Sequence, residues 1–203
     1  MAPRPDVSQE RKNQILDAAQ RVFAQQGFAA ARMDDIVAEA GLSKGGVYWY
    51  FKGKDAIVFA LMERFFSGVM DSEVARLLAA PDPVRERLLA LARIVAQAGL
   101  EMAPLLPVVY EYYATAMRHD EVQSFFSRYF EAYRASLSEF VAQGVAAGEF
   151  HPVAAEAVAI SLIGLFEGLM LVWSVDPEAF DLDAQMQTAV GLLLDGLAQN
   201  GAR

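Results

Sequence analysis

Apolar residues recur every three to four positions along almost the whole chain, and no period-two run interrupts them. Ile15, Ala19, Val22 and Phe23 share one face of a first helix, for which Ser8 is the expected N-cap and Gly27 the stop. Met33, Ile36, Val37 and Ala40 mark a short second helix closed by Gly41. Leu42 and Ser43 make a turn, and Ser43 caps a third short helix running through Phe51. Two short helices joined by a tight glycine-containing turn form a helix-turn-helix pattern.

A longer helix follows from about Asp55 to Ala79, with Ile57, Leu61 and Phe65 along one side. Pro81-Asp82-Pro83 stops it. Asp82 is then the expected cap of a helix ending near Gly99, with Pro83 in its first position. Pro104 and Pro107 frame the start of the next helix, which reaches about Met117, where His119-Asp120 breaks the pattern. A long helix spans 121–147 and closes at Gly148, Pro152 opens one reaching Val175, and Asp181 caps a last one to about Gln199. The pattern is all-α, about nine helices, without internal repeats or long linkers. It divides into a three-helix head, residues 1–54, and a larger helical body, residues 55–203.

Residues 157–175 carry one charge, Glu167, in 19 positions, long enough to raise a membrane span. The flanks are Glu156 and Asp176, with no Lys or Arg to anchor a span. Gly164 and Gly168 form a G-x-x-x-G spacing that lets helices approach closely. The segment therefore reads as an interface helix buried all round, and no membrane partner is expected.

Of 203 residues, 55% are hydrophobic and 21% charged, which excludes global disorder. The chain lacks cysteine, which removes disulfides, thiolate metal sites and cysteine nucleophiles. No apolar stretch follows Met1–Asp6, so no secretory signal and a cytoplasmic location are expected. His119 and His151 lie far apart with no metal spacing, phosphate-binding loop or nucleophile elbow, so neither enzyme, metal nor cofactor is expected. The net charge of -9 speaks against a nucleic-acid binder until it is resolved along the chain. Residues 1–55 hold eight Lys/Arg against seven Asp/Glu, whereas the rest holds nine against nineteen. Local charge at the contact face governs phosphate binding.

The third helix concentrates the chemistry. Val47 and Phe51 can face Ile36, Val37 and the first helix, which leaves Lys44, Gly45, Gly46, Tyr48, Trp49 and Tyr50 partly or wholly outward. Three successive aromatics on a short helix cannot all be core. Ringed by Lys44, Lys52 and Lys54, they suit a polyanion with flat bases. Glycines at 45 and 46 weaken the helix, a cost offset if a DNA backbone comes close to its free N–H groups.

The run from Gly27 to Lys54, and above all Met33-Asp-Asp-Ile-Val-Ala-Glu-Ala-Gly-Leu-Ser-Lys-Gly-Gly-Val-Tyr-Trp-Tyr-Phe-Lys-Gly-Lys-Asp, closely resembles the DNA-binding region of TetR/AcrR-family regulators. The match is specific over residues 8–65; beyond them it extends only to helix number and length. The resemblance implies that Lys44, Gly45 and Gly46 enter the major groove of double-stranded operator DNA. It assigns phosphate and thymine-methyl contacts to Tyr48 and Trp49, phosphate contacts to Tyr50 and Lys54, and the core to Val47, Phe51, Ile36 and Leu42. Where the family places a hydroxyl at the start of the second helix this chain has Ala31, and Arg32 is expected to take over that phosphate. Few side chains remain for base readout, with Lys44 to guanine the best available.

In the body, residues 110–133 hold eight aromatics. The family resemblance implies an effector pocket among the central helices. Its candidate walls are Met102, Tyr110, Tyr113, Met117, Phe126, Tyr129, Phe130, Tyr133, Phe166, Met170 and Trp173, with ordinary core packing the alternative for each. Glu111 and Glu167 stand among apolar neighbours, either to meet a cationic ligand or to reach solvent or an adjacent helix. The last two helices are implied to form a homodimer interface through Ser161, Gly164, Leu165, Gly168, Leu193 and Leu197. Independently, the apolar helix around Gly164 and the leucines 192–194 and 197 exceed what a monomer readily hides. A two-fold dimer sets recognition helices about 34–36 Å apart, on successive grooves of a palindrome. The expected function is a DNA-binding regulator, a repressor released by a small apolar or aromatic effector. The alternatives are a helical ligand-binding or interaction module without DNA binding, and an activator.

Overall fold

The computed structural model describes residues 7–67 and 69–199. The chain divides into two compact units: residues up to 69 together with 104–110, and residues 70–103 together with those from 111 onward. Among the described residues no strand forms; Phe150 and Ala198 make an isolated antiparallel bridge.

The first unit contains α1 (Val7–Gln26), α2 (Met33–Ala40), α3 (Lys44–Tyr50) and α4 (Lys54–Ser67). Ile15, Ala19, Val22 and Phe23 of α1 are buried, as are Ile36, Val47, Phe51, Ile57 and Leu61. Ser8 lies inside α1 and is not its cap, because the helix is already formed at Val7. Gly41 ends α2 with φ 63°, a left-handed geometry that glycine adopts without steric cost. Ser43 then caps α3, its hydroxyl accepting from the Gly46 N–H at 3.1 Å. Leu42, expected in the core, is half-buried. Gln14 Nε2 donates to the Ala40 carbonyl at 2.7 Å and so fixes α1 to the end of α2.

The expected helix over 55–79 is described as α4 and α5 (Val69–Ala79), on either side of residue 68. Beyond them come α6 (Val84–Met102), a 3-10 turn (Ala103–Leu105), α7 (Leu106–Ala116), α8 (Asp120–Ala146), α9 (Ala155–Val175) and α10 (Leu182–Leu197). Asp181 caps α10 as expected, accepting from the Ala184 N–H at 2.7 Å.

Three ends differ from the sequence reading, each for a nonlocal reason. Pro83, not Asp82, is the N-cap of α6, and the free N–H groups of Val84 and Arg85 donate to the Glu149 carboxylate at 2.9 and 3.2 Å. Gly99 does not stop α6. It is buried within the helix, where a Cβ would collide with the Met170 thioether. Pro152 does not open α9, which starts at Ala155 after the Phe150–Ala198 bridge has fixed the chain to the end of α10.

In the second unit α8 packs on α9 and α10 packs on α6 and α9. Arg87 is buried in it, donating to the Leu77 and Leu78 carbonyls at 3.1 and 3.0 Å and to Gln143 Oε1 at 2.8 Å. This ties the C-terminus of α5 to α6 and α8. The helix α9 is not buried all round. Ala159, Leu162, Phe166 and Trp173 line one buried face, while Ile160, Leu171, Val172 and Val175 are exposed on the other side. Hydropathy alone cannot separate a helix wrapped in its own chain from one with an uncovered face.

Candidate nucleic-acid interface and effector cleft

The core positions of α3 dictate what faces outward. Val47 is fully buried and Phe51 nearly so, which turns the intervening aromatics toward solvent. Trp49 is 69% exposed, and Tyr48 and Tyr50 are half-buried. The Trp49 and Tyr50 rings meet edge-on at 4.6 Å. An exposed indole of this size has no folding rationale within the unit.

The lysines are deployed differently from one another. Lys44 Nζ lies 2.7 Å from Asp34 Oδ1 and 5.9 Å from the centre of the Tyr48 ring. The hydrogen bond to Asp34 and its negative charge hold the ammonium above its ordinary pKa. Lys52 Nζ donates to the Tyr48 carbonyl at 3.0 Å. Lys54 Nζ donates to the Phe28 carbonyl at 2.6 Å and sits 4.5 Å from the Phe28 ring centre. Lys54, expected at phosphate, is therefore tied into the loop after α1. Arg32 is exposed at the start of α2, and its backbone N–H donates to Asp35 Oδ2 at 2.9 Å. Ala31 beside it is buried, so the missing hydroxyl leaves a small core residue in its place.

Gly45 and Gly46 divide. A Cβ on Gly46 would press on the Ser43 hydroxyl at 3.1 Å, so this glycine serves the cap. A Cβ on Gly45 would meet nothing within 4 Å, and its φ is not positive. The fold itself gives Gly45 no reason to be glycine.

In the second unit Tyr113 of α7 and Phe126, Tyr129, Phe130 and Tyr133 of α8 form one aromatic cluster. Centroids are 4.3 Å apart for Tyr113–Phe126 and for Tyr129–Tyr133, and 5.4 Å for Tyr129–Phe130. The Tyr113 hydroxyl donates to Glu167 Oε2 at 3.0 Å. Burial pushes the Glu167 carboxyl up from its ordinary pKa, and the Tyr113 hydrogen bond partly opposes it. Burial likewise pushes the Tyr129 phenol well up and that of Tyr133 up to about 12. An open cleft of about 650 Å³ runs between α8 and α9, lined by Ser127, Phe130, Glu131, Arg134, Ile160, Ile163, Gly164 and Glu167. Arg134 Nε pairs with Glu156 at 3.2 Å.

Of the residues expected to line a pocket, only Phe130 borders this cleft directly. Met117 is a correction: at 85% exposure it stands in solvent past the end of α7. Met102, Phe166 and Trp173 are buried core, and Met170 is spent on Gly99. Tyr110 is half-buried and groups with the first unit. The sequence singled out Glu167 as an isolated charge, whereas Glu131 and Arg134 carried no local signal because they sit among other polar positions of α8.

Ser161, Gly164 and Gly168 are exposed, and Leu165 and Leu193 are half-buried. Leu197 is a correction, since it is buried in its own unit. Leu192, 69% exposed, takes its place on the surface of α10.

Residues 15–61 match the tetR family of bacterial regulatory proteins, and residues 96–183 match a tetracyclin repressor-like C-terminal domain. The chain is 31% identical to the HTH-type transcriptional regulator YfiR of Bacillus subtilis (strain 168), over 73% of its own length and 74% of that protein. A TetR transcription regulator from Haloarcula marismortui ATCC 43049 superposes with a TM-score of 0.77 at 21% identity, covering 94% of this chain and all of that one (100%). A structure described as a SmeT–triclosan complex superposes with a TM-score of 0.72 at 21% identity, covering 95% and 93%. At these identities the two structures speak for the fold alone.

Proposed function

The chain belongs to the tetR family of bacterial regulatory proteins and is a DNA-binding transcriptional regulator, and on that premise we propose that it is a cytoplasmic homodimeric repressor, released from a palindromic operator by a small apolar or aromatic effector. Residues 1–54 are the DNA-binding domain and residues 55–203 the effector-binding and dimerisation domain. No catalytic role is assigned to any residue.

The observation that carries the DNA reading is Trp49, exposed on a helix whose other face is fully engaged in the core. With Tyr48, Tyr50, Lys44 and Arg32 around it, and Gly45 leaving room for a backbone, this surface has the chemistry of phosphate and thymine-methyl contact. Lys54 contributes charge at the edge while remaining tied to Phe28.

The dimer reading rests on α9 and α10. Ile160, Leu171, Val172, Val175 and Leu192 are exposed together with Gly164 and Gly168, at which a Cβ would meet nothing within 4 Å. Mid-helix glycines without an internal neighbour cost about 1 kcal/mol each relative to alanine, a cost that close approach of a second copy offsets. Effector control then follows if the ligand fits better when the two DNA-binding domains are wrongly spaced, shifting the population away from the DNA-competent form.

The test is a mobility shift with fragments of the DNA flanking its own gene, at fixed salt. The wild type retards a palindromic fragment as a dimer, Trp49→Ala and Lys54→Glu weaken retardation, and Val175→Glu with Leu192→Glu yields a monomer by sedimentation that binds poorly. A strictly monomeric wild type, or a Trp49→Ala protein with full affinity, overturns the reading.

A further inference from the structure

Glu167 sits in the middle of α9, in an otherwise uncharged stretch of 19 residues, and its side chain opens onto the cleft beside α8. Among the described residues no Lys, Arg or His pairs with it; the Tyr113 hydroxyl donates to it. Arg134, the cation bordering the same cleft, is engaged by Glu156. Glu131 adds a second carboxylate to the lining. Drawing a carboxylate partly out of water without a counter-charge is costly, and here the Tyr113 hydrogen bond offsets only part of that cost. Arg87 of the same unit is held differently, its Nη1 donating to two carbonyls and an amide.

We propose that the cleft between α8 and α9 binds a monovalent organic cation carrying apolar groups, with Glu167 as its counter-charge and the Phe130 ring as its aromatic wall. This rests on the reading of residues 55–203 as an effector-binding domain and names the chemical class of the effector. Aromatic faces attract cations through their quadrupoles, most strongly where water is excluded. A neutral apolar ligand in the same place strips water from Glu167 and returns nothing, and an anion is repelled by both carboxylates. The volume of about 650 Å³ admits a molecule of two or more rings. Burial raises the carboxyl pKa of Glu167, as expected of a group whose charged form awaits a partner.

The experiment is isothermal titration of the full-length protein with three aryl probes of similar shape: tetraphenylphosphonium, neutral triphenylphosphine oxide and anionic tetraphenylborate. Tetraphenylphosphonium is expected to bind about tenfold or more tighter than the oxide, and the borate weakest. Glu167→Gln removes the cation preference, weakening tetraphenylphosphonium and tightening the oxide, which no longer strips water from a carboxylate; Glu111→Gln, an exposed carboxylate outside the cleft, leaves all three unchanged. Comparing the probes on the wild type decides the matter even if the Glu167 variant does not fold. Equal binding of cation and oxide, or a Glu167→Gln protein that keeps the preference, overturns the cation assignment while leaving the effector domain standing. Absence of binding by all three overturns both.

Discussion

Lys44 and Asp34 are joined across the helix-turn-helix by a 2.7 Å ion pair whose two side chains are both largely exposed. The first turn of α2 thus places an acid against the first residue of the recognition helix. On DNA that acid competes with phosphate for the ammonium and repels the backbone itself. Asp34→Asn is therefore expected to raise DNA affinity several-fold, and Lys44→Gln to lower it and reduce the salt slope by about 0.9 per lost phosphate contact. Fluorescence anisotropy across a salt series reads both.

Gly45→Ala separates fold from function. Its Cβ meets nothing within the chain, and alanine favours a helix over glycine by about 1 kcal/mol, so thermal stability is expected to rise. DNA affinity is expected to fall, because the new methyl occupies the space the backbone needs. A variant that gains stability and keeps its affinity refutes the close approach.

Glu167 makes stability depend on pH in a sense opposite to a paired carboxylate. Its folded pKa is raised by burial, so the folded state holds the proton more strongly than the unfolded chain. The stabilisation is fully present below the unfolded value near ~4.3 and is lost as pH rises through the folded one. Glu167→Gln is accordingly expected to melt higher than wild type at neutral pH, with the gap closing toward pH ~4. The facing groups do not blur this window. Tyr129 and Tyr133 are pushed up, Tyr133 to about 12; Tyr113 donates its hydroxyl to the carboxylate, Arg134 is paired with Glu156, and exposed Glu131 is common to both proteins. Melting curves from pH 4 to 8 test it.

Two buried glycines of the second unit are expected to differ in tolerance. A Cβ at Gly144 collides with the ring of Phe150, which is itself held by the bridge to Ala198, whereas a Cβ at Gly99 collides with the flexible end of Met170. Gly144→Ala is expected to cost about 1–3 kcal/mol, and Gly99→Ala less, because a thioether can move aside and a fixed ring cannot. Denaturant melts of both variants give the ranking, and an inverted order contradicts it.

The helix-turn-helix was legible because its determinants are local. The cap at Ser43, the left-handed Gly41 and the spacing of Val47 and Phe51 lie within a dozen residues, and each does in the fold what its type predicts. The departures arise where distant chain decides. Glu149 caps α6 from 65 residues away, and Gly99 is set by Met170 and not by a helix end. The cleft was half-visible: one carboxylate in an apolar run stands out, but Arg134 and Glu131 look like any solvated face until α9 is laid beside α8. In α9 itself, apolar residues facing a core and apolar residues facing outward read alike.

Gly164 belongs both to the wall of the cleft and to the uncovered face of α9. A second subunit seated on that face would form part of the small-molecule chamber. Thermodynamic linkage then requires occupancy and self-association to alter one another by the same factor, so apparent ligand affinity would drift with protein concentration. A regulator built this way responds to its own abundance as well as to its signal.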